Sequence, residues 1–465
     1  MMIKNMRQGR RNRRPPSRPV NPFGSNNARA VAYDLVVAAM KGGERLEQMW
    51  DHSDGLASLS SRDRALAVHL SSGVLRRLRV LDRRANQLTD GKFEGLSEPV
   101  RWVLRMGLFQ VVDCDRIPPH AAVSTAVEAA KTVSHQGIAG LVNAVLRRAA
   151  RERDQLHADL DQSSPAERLS MPDWLIELLI KKFGEEHLDR ISRWANAPPH
   201  HFVRLSSNGP GLTHLNEVLE AAHMQAARPH PVFPEYVEVE TAALTSDSPL
   251  FKEPYGWVQN PASGLVVKLL DPQPGEQVLD LFAAPGGKSL LISEAIGPEG
   301  EVLAVDRSPE RLQKLEENKQ RFNATNMLPI QADVSSLGER TAPRVLADVP
   351  CSALGTLPKN PEVRWVKTPA DIERLARSQR IWLNVAATHV APGGTLVYAT
   401  CTITPEENEA TVAAFLEHNT EFELESAAAF VPSEFVTPEG YVATNPPFDG
   451  LDGVFAARFR RRQET

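Results

Sequence analysis

The chain contains few cysteines, and their number and spacing exclude two common kinds of small-domain scaffold. Only three occur in 465 residues, at Cys114, Cys351 and Cys401. An odd number of widely separated cysteines, with no Cys-x-x-Cys pair, excludes a disulfide framework and a zinc knuckle. Because free cysteines are typical of a reducing compartment, we expect a cytoplasmic protein that holds no metal.

Long apolar runs are also missing. No stretch approaches the ~20 apolar residues that cross a bilayer, and no apolar segment follows the basic start of the chain. The sequence therefore predicts neither a membrane protein nor a secreted one. With 42% hydrophobic and 24% charged residues, the composition is that of globular domains, and the length predicts roughly two to four of them.

The net charge of −5 conceals an uneven distribution. Residues 1–29 hold eight lysines and arginines and no acid, which leaves 45 basic and 58 acidic residues, a net charge of −13, elsewhere. Such a split indicates an anionic partner for the basic segment. Residues 1–27 have few apolar side chains, and we expect them to be disordered. A phosphate-binding arm, a solvated tail and a mitochondrial presequence all remain compatible with this segment.

Residues 28–165 are predicted to form an all-helical domain. Alanine, leucine, valine and arginine dominate its sequence, and the apolar residues of Val100–Val112 recur at helical spacing. Residues 151–170, which overlap the end of this domain, are predicted to form a linker or an exposed helix. No residue here has the character of a catalytic group, and His120 is interpreted as a turn residue. The proline-rich residues 166–254 are predicted to form a small α/β connector.

Short apolar runs alternate with helical patterns from about residue 255 onward. The runs are Gln277–Phe282, Glu301–Asp306, Met327–Asp333, Arg344–Pro350 and Gly394–Cys401, and a last strand is predicted at Gly453–Arg460. Alternating strands and helices predict a mostly parallel sheet with right-handed crossovers and helices on both faces. Residues 255–465 are therefore predicted to form a Rossmann-like α/β domain.

A glycine-rich loop follows the first of these strands, at the edge where an open α/β sheet binds its ligands. The loop reads DLFAAPGGK and ends at Lys288. Gly286 and Gly287 allow a ligand to approach the backbone closely. The spacing matches neither GxGxxG nor GxxxxGK[ST], and Pro285 removes an N–H donor, so a dinucleotide or a nucleoside triphosphate is disfavoured.

Acidic residues end the next two predicted strands. Asp306 is placed to bind ribose hydroxyls, and Asp333 is placed to contact an adenine amino group. The alternative is that each aspartate caps the helix that follows it. Together with Asp280 at the end of the first strand, the three acids favour a cofactor that carries a nucleoside.

Two of the three cysteines follow neighbouring strands at the same edge of the predicted sheet. Cys351 comes soon after Asp348, and Cys401 comes directly after Thr400. The alternative is that each is a small buried hydrophobic residue, the usual role of a free cysteine. A thiolate stabilised by Lys288 or by the sulfonium of a methyl donor would be a good nucleophile. Methylation of a carbon without a lone pair, such as cytosine C5, needs such a nucleophile, because attack on C6 makes C5 enamine-like.

Several segments together resemble one family. LDLFAAPGGKS, LADVPCSALGT, LVYATCT and the terminal DGVFAARF are similar to the S-adenosylmethionine-dependent RNA (cytosine-5) methyltransferases. The helical part, with RIPPHA and VNAVLRR, resembles the NusB-type RNA-binding domain. The combination is similar to the Sun/Fmu branch, the bacterial 16S rRNA methyltransferases, and covers nearly the whole chain beyond the basic tail.

The resemblance implies a role for each residue at the predicted rim. Cys401 would be the nucleophile on cytosine C6, Cys351 would assist loss of the C5 proton and product release, and Asp348 would hold the N3/N4 edge of the base. Lys288 would span cofactor and base. S-adenosylmethionine would be held by Phe282, Ala283, Ala284, Pro285, Gly286, Gly287, Lys288, Asp306, Asp333 and Asp348. The target base would be unstacked into the pocket, so a single-stranded loop or an opened helix is favoured.

The sequence departs from the family pattern at a few positions. Phe282 stands where cysteine is usual, Val349 stands where alanine is commoner, and Pro358-Lys359 replaces a pair of basic residues. These differences concern fine specificity rather than the reaction. We expect a monomer that acts on 16S rRNA or a small-subunit precursor. A tRNA cytosine-5 methyltransferase, and an RNA-binding or transcription factor with an inactive catalytic half, remain as alternatives.

Overall fold

The computed structural model describes residues 20–240, 244, 248–251 and 253–463. Most of the predicted basic tail therefore lies outside the described residues. Its last part contacts the first helix, because Asn21 Nδ2 donates to Ala30 O at 2.8 Å and the ring of Phe23 lies 6.1 Å from that of Tyr33. The prediction of disorder is wrong for this part, since Phe23 has an aromatic partner that local composition does not reveal.

The described chain is helical up to Asn196. The helices are α1 (Ala28–Met40), α2 (Leu46–His52), α3 (Asp54–Ala57), α4 (Ser61–Arg76), α5 (Leu78–Leu88), α6 (Glu98–Leu108), α7 (Pro119–Val133), α8 (Gln136–Arg151), α9 (Arg153–Asp161), α10 (Pro165–Arg168), α11 (Asp173–Phe183) and α12 (Leu188–Asn196). Asn27 begins α1, because its side chain accepts from the N–H groups of Arg29 and Ala30. No helix in the described ranges has the length and apolarity to cross a membrane.

The structure refines two predictions for this helical region. The helix predicted over Val100–Val112 continues past Leu108 as a π-helical turn, Phe109–Asp113, rather than as regular α-helix. Gly73 makes room for Phe109 there, since a Cβ would lie 2.1 Å from the ring. The segment predicted as a linker or an exposed helix forms α9 and α10. Leu156 of α9 is buried in the helical core. The helix is too short for its apolar spacing to be recognised in the sequence, but its apolar side still packs against the core.

A small antiparallel sheet follows the helices. Its elements are β1 (His201–Leu205), α13 (Gly211–Ala221), β2 (Arg228–Pro229), β3 (Tyr236–Val239) and β4 (Gly256–Val258), and its strand order is β2-β3-β1-β4. β4 pairs with β1 although it lies beyond the domain boundary predicted at residue 254. The predicted domain boundaries remain predictions.

The larger sheet belongs to the last part of the chain. Its elements are α14 (Pro261–Leu270), β5 (Gln277–Asp280), α15 (Gly287–Ile296), β6 (Glu301–Asp306), α16 (Pro309–Arg321), β7 (Met327–Gln331), β8 (Ala342–Asp348), α17 (Val363–Val366), α18 (Pro369–Thr388), β9 (Val390–Thr400), α19 (Glu409–His418), β10 (Phe422–Glu425), β11 (Val442–Ala443), α20 (Pro446–Asp449) and β12 (Phe455–Arg461). The strand order is β10-β12-β9-β8-β5-β6-β7, with β11 paired to β12.

The topology of this sheet determines where a site can form. Strands β5 to β9 pair in parallel, whereas β10, β11 and β12 form antiparallel pairs. The chain runs outward from β5 to β7 on one side and then from β8 to β9 on the other. The carboxyl ends of β5 and β8 therefore lie at the switch point, where ligands of such sheets bind. The mostly parallel sheet predicted from the sequence is confirmed.

A close backbone contact fixes the loop after Cys351. Gly355 N donates to Cys401 O at 3.2 Å, and Gly453 N donates to Gly355 O at 2.7 Å. A Cβ on Gly355 would lie 2.4 Å from Gly453 O, which is too close for any side chain. Gly355 thus joins the two cysteine loops to the segment before β12.

We expect Gly355→Ala to lower the free energy of unfolding by about 1–3 kcal/mol, because the backbone must move apart to admit a methyl group. The matched control is Gly140→Ala in α8, where a Cβ meets no atom within 4 Å. That change should stabilise the protein by roughly 0.5–1 kcal/mol, because alanine is the better helix former. Thermal unfolding of both variants measures the difference, and equal unfolding temperatures would contradict the tight contact.

Candidate active site

The two cysteines that follow β8 and β9 meet at the rim of the sheet. Cys351 Sγ lies 2.9 Å from Cys401 Sγ, and the backbone N–H of Cys401 donates to Cys351 Sγ at 3.2 Å. Cys351 is buried, whereas Cys401 is partly exposed. The parallel pairing of the strands therefore brings together two thiols that are 50 residues apart, and only one of them faces the open side.

The environment distinguishes the two thiols by acidity. A hydrogen bond from Cys351, and then the positive charges of Arg45 and Lys288, lower the pKa of Cys401 to about 7 against the effect of burial. The same hydrogen bond and burial raise the pKa of Cys351 well above its ordinary value. The environment therefore favours ionisation of Cys401 over that of Cys351, and Cys351 is the thiol that donates when Cys401 is a thiolate.

Lys288 and Asp348 form an ion pair beside the thiols, with Lys288 Nζ 2.7 Å from Asp348 Oδ2. Lys288 is the second residue of α15, and Asp348 is the last residue of β8. Burial lowers the pKa of Lys288, but the charge and hydrogen bond of Asp348 outweigh it, so the pKa is raised overall. The pair therefore presents a charged ammonium and a carboxylate next to Cys401.

The glycine-rich loop has a backbone shape that requires glycine. Gly286 adopts φ +103°, and a Cβ there would lie 3.0 Å from Leu315 Cγ. At Gly287, a Cβ would lie 3.2 Å from Gln259 Nε2. The loop is anchored to the sheet, because Ala283 N donates to Val305 O at 2.9 Å. The loop therefore places the backbone of two glycines, with no side chains, at the switch point.

Asp306 and Asp333 differ in their surroundings. Asp306 is buried at the end of β6 and accepts from Ala284 N at 3.3 Å and from Ser308 N at 3.0 Å. Asp333 lies two residues beyond the end of β7 and is exposed, because the strand stops before the predicted Asp333. Its Oδ1 accepts from Ser335 N at 3.0 Å at the start of a 3₁₀ turn. The hydrogen bonds of Asp333 are therefore those of a cap, the alternative to a cofactor contact.

Asp280, the last residue of β5, is bonded to the helix that follows the glycine-rich loop. Its Oδ2 accepts from Ser289 Oγ at 2.7 Å, and the side chain is buried under α15. Burial raises the pKa of Asp280 to about 7. In the described ranges, no group of three or more histidine, cysteine, aspartate or glutamate side chains is arranged to hold a metal ion.

Arg45 also lies at this site, although the helical region was predicted to hold no catalytic group. Its Nη2 donates to Cys401 Sγ at 3.8 Å across 356 residues of sequence. A residue of the helical region therefore contacts Cys401, the cysteine predicted from the sequence to be the nucleophile. No sequence pattern marks Arg45, since the contact depends on how the helices pack against the sheet.

A second residue that the sequence did not reveal is Glu407, which is fully buried between the two cysteine loops. Its carboxylate accepts from Ser352 N at 2.8 Å, from Thr404 Oγ1 at 2.8 Å and from Gln379 Nε2 at 2.9 Å. Ser352 follows Cys351, and Thr404 lies three residues after Cys401. Glu407 therefore ties the two loops to each other and to α18.

The segment after Cys351, residues 357–365, contacts the helical region. Arg76 Nη2 donates to Pro358 O at 2.7 Å, and Trp365 Nε1 donates to Leu75 O at 2.7 Å. Lys359 Nζ lies 2.6 Å from Asp452 Oδ2. The segment that departs from the family pattern at Pro358-Lys359 therefore holds the helices against the rim.

Comparisons with known proteins agree with this arrangement. The model of the 16S rRNA methyltransferase RsmB/F family matches residues 267–460, and the NusB family model matches residues 26–151. The chain is 34% identical over 421 residues to the probable ribosomal RNA small subunit methyltransferase B of Synechocystis sp., covering 87% of this chain and 92% of that protein. It is 33% identical over 441 residues to the ribosomal RNA small subunit methyltransferase B of Escherichia coli O7:K1, covering 94% and 99%.

Solved structures share the fold. The crystal structure of PH0851 matches with a TM-score of 0.75 and 22% identity, covering 93% of this chain and 98% of that chain. NSun6 from Pyrococcus horikoshii with SFG matches with a TM-score of 0.56 and 22% identity, covering 63% and 99%. The fold is that of a Rossmann-like methyltransferase joined to a NusB-type helical region. The chain belongs to the RsmB/F family of 16S rRNA methyltransferases.

Alkylation by iodoacetamide should distinguish the three thiols. Because the thiolate reacts, the rate at Cys401 should rise with pH and level off above its pKa of about 7. Cys114 should react far more slowly, since burial and neighbouring acids raise its pKa to about 12. Peptide mass spectrometry of the reduced protein measures each rate, and a Cys401 profile that matches an ordinary thiol, with pKa about 8.5, would contradict this electrostatic account.

Glu407→Gln should destabilise the protein by about 1–3 kcal/mol, because an amide cannot accept from all the donors that face the carboxylate. We also expect slower methyl transfer, since both cysteine loops lose their common anchor. Glu406→Gln is the matched control, because the adjacent Glu406 is exposed. Thermal unfolding and methylation rates measure both effects, and equal behaviour of the two variants would rule out this anchoring role.

Proposed function

We propose that this protein methylates C5 of a cytosine in 16S rRNA, with S-adenosylmethionine as the methyl donor and Cys401 as the nucleophile. The observation that carries the proposal is the contact between Cys401 and Cys351 at 2.9 Å beside the Lys288–Asp348 pair. A nucleophilic thiolate next to a second thiol suits methylation of a carbon, whereas a nitrogen or oxygen acceptor needs neither.

The residues at the switch point fit a cofactor that carries a nucleoside and a positive charge. Gly286, at φ +103°, has no side chain that would keep a ligand from the loop backbone. The loop residues Phe282, Ala283, Ala284, Pro285, Gly286, Gly287 and Lys288 would line the site with Asp306, Asp333 and Asp348. Asp306 would accept from ribose hydroxyls, since a carboxylate has about four acceptor positions. When bound, S-adenosylmethionine supplies a methyl group on a sulfonium.

Cys401 begins the proposed reaction by attacking cytosine C6. The thiolate forms a C–S bond, and the electrons of the C5–C6 double bond make C5 nucleophilic enough to take a methyl group. Asp348 would hold the N3/N4 edge of the base, and Lys288 keeps that carboxylate in place at 2.7 Å. The base must leave its stack to reach the rim, which favours an unpaired target.

Cys351 would complete the reaction by accepting the C5 proton. Its pKa is raised chiefly by the hydrogen bond to Cys401 and by burial. Once Cys401 is bonded to C6, its negative charge is gone, so Cys351 loses its own proton to solvent more easily. The resulting Cys351 thiolate is the base that takes the C5 proton. Loss of the C5 proton restores the C5–C6 double bond, and the C–S electron pair returns to Cys401 as the product leaves.

Two observations support 16S rRNA over the alternatives. The relatives that cover nearly the whole chain are small-subunit rRNA methyltransferases, which favours rRNA over tRNA. The contacts among Cys351, Cys401, Asp348 and Lys288 are intact, which argues against an inactive catalytic half. We propose that residues 28–165 bind RNA, that 166–254 connect the domains, and that 255–465 carry the reaction.

Replacing Cys401 by alanine should abolish methylation and any covalent protein–RNA complex, because the bond to C6 cannot form. Cys351→Ala should instead accumulate that complex, since Cys401 still attacks but release is impaired. Cys114→Ala, a buried thiol of the helical region, is the matched control and should retain activity. Denaturing electrophoresis with labelled RNA measures the complex, and full turnover by the Cys401 variant would falsify the mechanism.

Bisulfite sequencing of 16S rRNA from cells with and without this protein identifies the substrate. Methylated cytosine resists conversion, so one protected position should disappear in the deletion strain. It should return when wild-type protein is supplied, but not with the Cys401→Ala variant. Unchanged protection of 16S rRNA, with loss at a tRNA position, would favour the tRNA alternative.

A further inference from the structure

We propose that Arg45 of the helical region activates Cys401, so that the active site is completed by a residue from outside the methyltransferase sheet. Arg45 Nη2 donates a hydrogen bond to Cys401 Sγ at 3.8 Å. The proposal extends the function proposed above and rests on Cys401 being the nucleophile. It gives the helical region a part in catalysis in addition to RNA binding.

The backbone of Arg45 is held in place from two sides. Arg45 directly precedes α2, and Arg45 O accepts from Met49 N at 3.0 Å within that helix. The next residue, Leu46, is fully buried, and its N–H donates to Glu362 Oε1 at 3.1 Å. Glu362 belongs to the segment after Cys351 and is itself buried. The start of α2 is therefore attached to the same loop system that carries the cysteines.

Several charged or titratable groups face Cys401 from the elements packed around it. They are Arg45 before α2, Asp348 at the end of β8, Cys351 three residues after β8, Lys288 on α15, and Lys359 in the segment after Cys351. Lys288 is paired with Asp348 at 2.7 Å, and Lys359 is paired with Asp452 at 2.6 Å. Of these cations, Arg45 is the one with a hydrogen bond to the sulfur.

Arginine suits this position chemically. Its guanidinium stays charged at any pH at which the enzyme works, and it donates through several N–H groups. Burial lowers the pKa of Arg45, but the negative charge of Cys401, the hydrogen bond to Cys401 and the charge of Glu47 raise it, and the pKa is raised overall. The Arg45–Cys401 pair therefore stabilises the thiolate before attack.

The same contact assists the last step of the proposed reaction. When the C5 proton passes to Cys351, the C5–C6 double bond forms again and the C6–S bond breaks. The electron pair of that bond returns to Cys401, so negative charge develops on the sulfur that Arg45 faces. A fixed positive charge there stabilises both the attacking and the leaving thiolate.

The test compares Arg45→Gln with Arg45→Lys and with the matched control Arg147→Gln. Arg147 is an exposed arginine of α8 that donates to Asn143 in its own helix. Iodoacetamide alkylation of Cys401 is followed from pH 5.5 to 10 by peptide mass spectrometry, on the reduced full-length protein without RNA. The methylation rate under single turnover is measured over the same range up to pH 9.

For Arg45→Gln, the apparent pKa of Cys401 should rise by about one unit towards the ordinary thiol value. Alkylation should be slower than wild type at pH 7 and as fast or faster above pH 9, because a thiolate of higher pKa is the better nucleophile. Methylation should fall several-fold at pH 7 and recover as the pH rises, whereas a merely structural role gives a loss at every pH. Arg45→Lys should lie between, and Arg147→Gln should match wild type in alkylation.

An Arg45→Gln protein that is folded, with a Cys401 profile equal to wild type, overturns the proposal. If the glutamine variant does not fold, Arg45→Met keeps the aliphatic packing without the charge, and the same two outcomes decide. Failure of the proposed function is seen separately, because alkylation needs no methyl transfer. A Cys401→Ala protein that still methylates rejects the mechanism whatever Arg45 does, whereas an inactive Cys401→Ala protein with an unshifted Arg45→Gln profile rejects Arg45 alone.

Discussion

The parallel pairing of β8 with β9 is the constraint on which the candidate site depends. In this register Asp348 lies opposite Ala399, so the residues that follow the two strands turn towards each other. A slip of two residues would move one thiol about 6–7 Å along the strand, and the 2.9 Å contact between Cys351 and Cys401 would be lost. The hydrogen bond that lowers the pKa of Cys401 and raises the pKa of Cys351 would be lost with that contact.

Buried polar contacts hold the loops that follow β8 and β9 in place. Glu407 joins both cysteine loops to α18, and Gly355 joins them to the segment before β12 through backbone hydrogen bonds. Unpaired, a buried carboxylate would be costly, but three different elements supply its donors, so it stabilises one arrangement and disfavours others. The helical region is connected to the same loops through Glu362, which accepts from Leu46 N. These hydrogen bonds therefore connect the loops at the rim, the sheet and the helical region to one another.

Local pattern predicted most of the fold and part of the site. Each predicted strand of the larger sheet is present, and Glu301–Asp306 has the predicted bounds, because alternating buried runs and amphipathic helices are properties of short segments. The exact ends of strands and ordered segments were less predictable. Met327–Gln331 stops two residues before Asp333, whose side chain caps a turn instead. Phe23 packs on Tyr33 within a segment whose composition indicates disorder. Neither hydrophobic periodicity nor composition marks these contacts.

The sequence by itself determined the chemistry that is available: two cysteines after neighbouring strands, a lysine after a glycine loop, and aspartates at strand ends. These follow from local order, since parallel strands direct their carboxyl ends to one edge. Only the tertiary structure decided how those groups are tuned. Arg45 reaches Cys401 from 356 residues away, and Glu407 is buried between loops that the sequence shows only as separate motifs. Both contacts arise because packing of whole domains, rather than any periodic pattern, brings distant side chains within hydrogen-bonding distance.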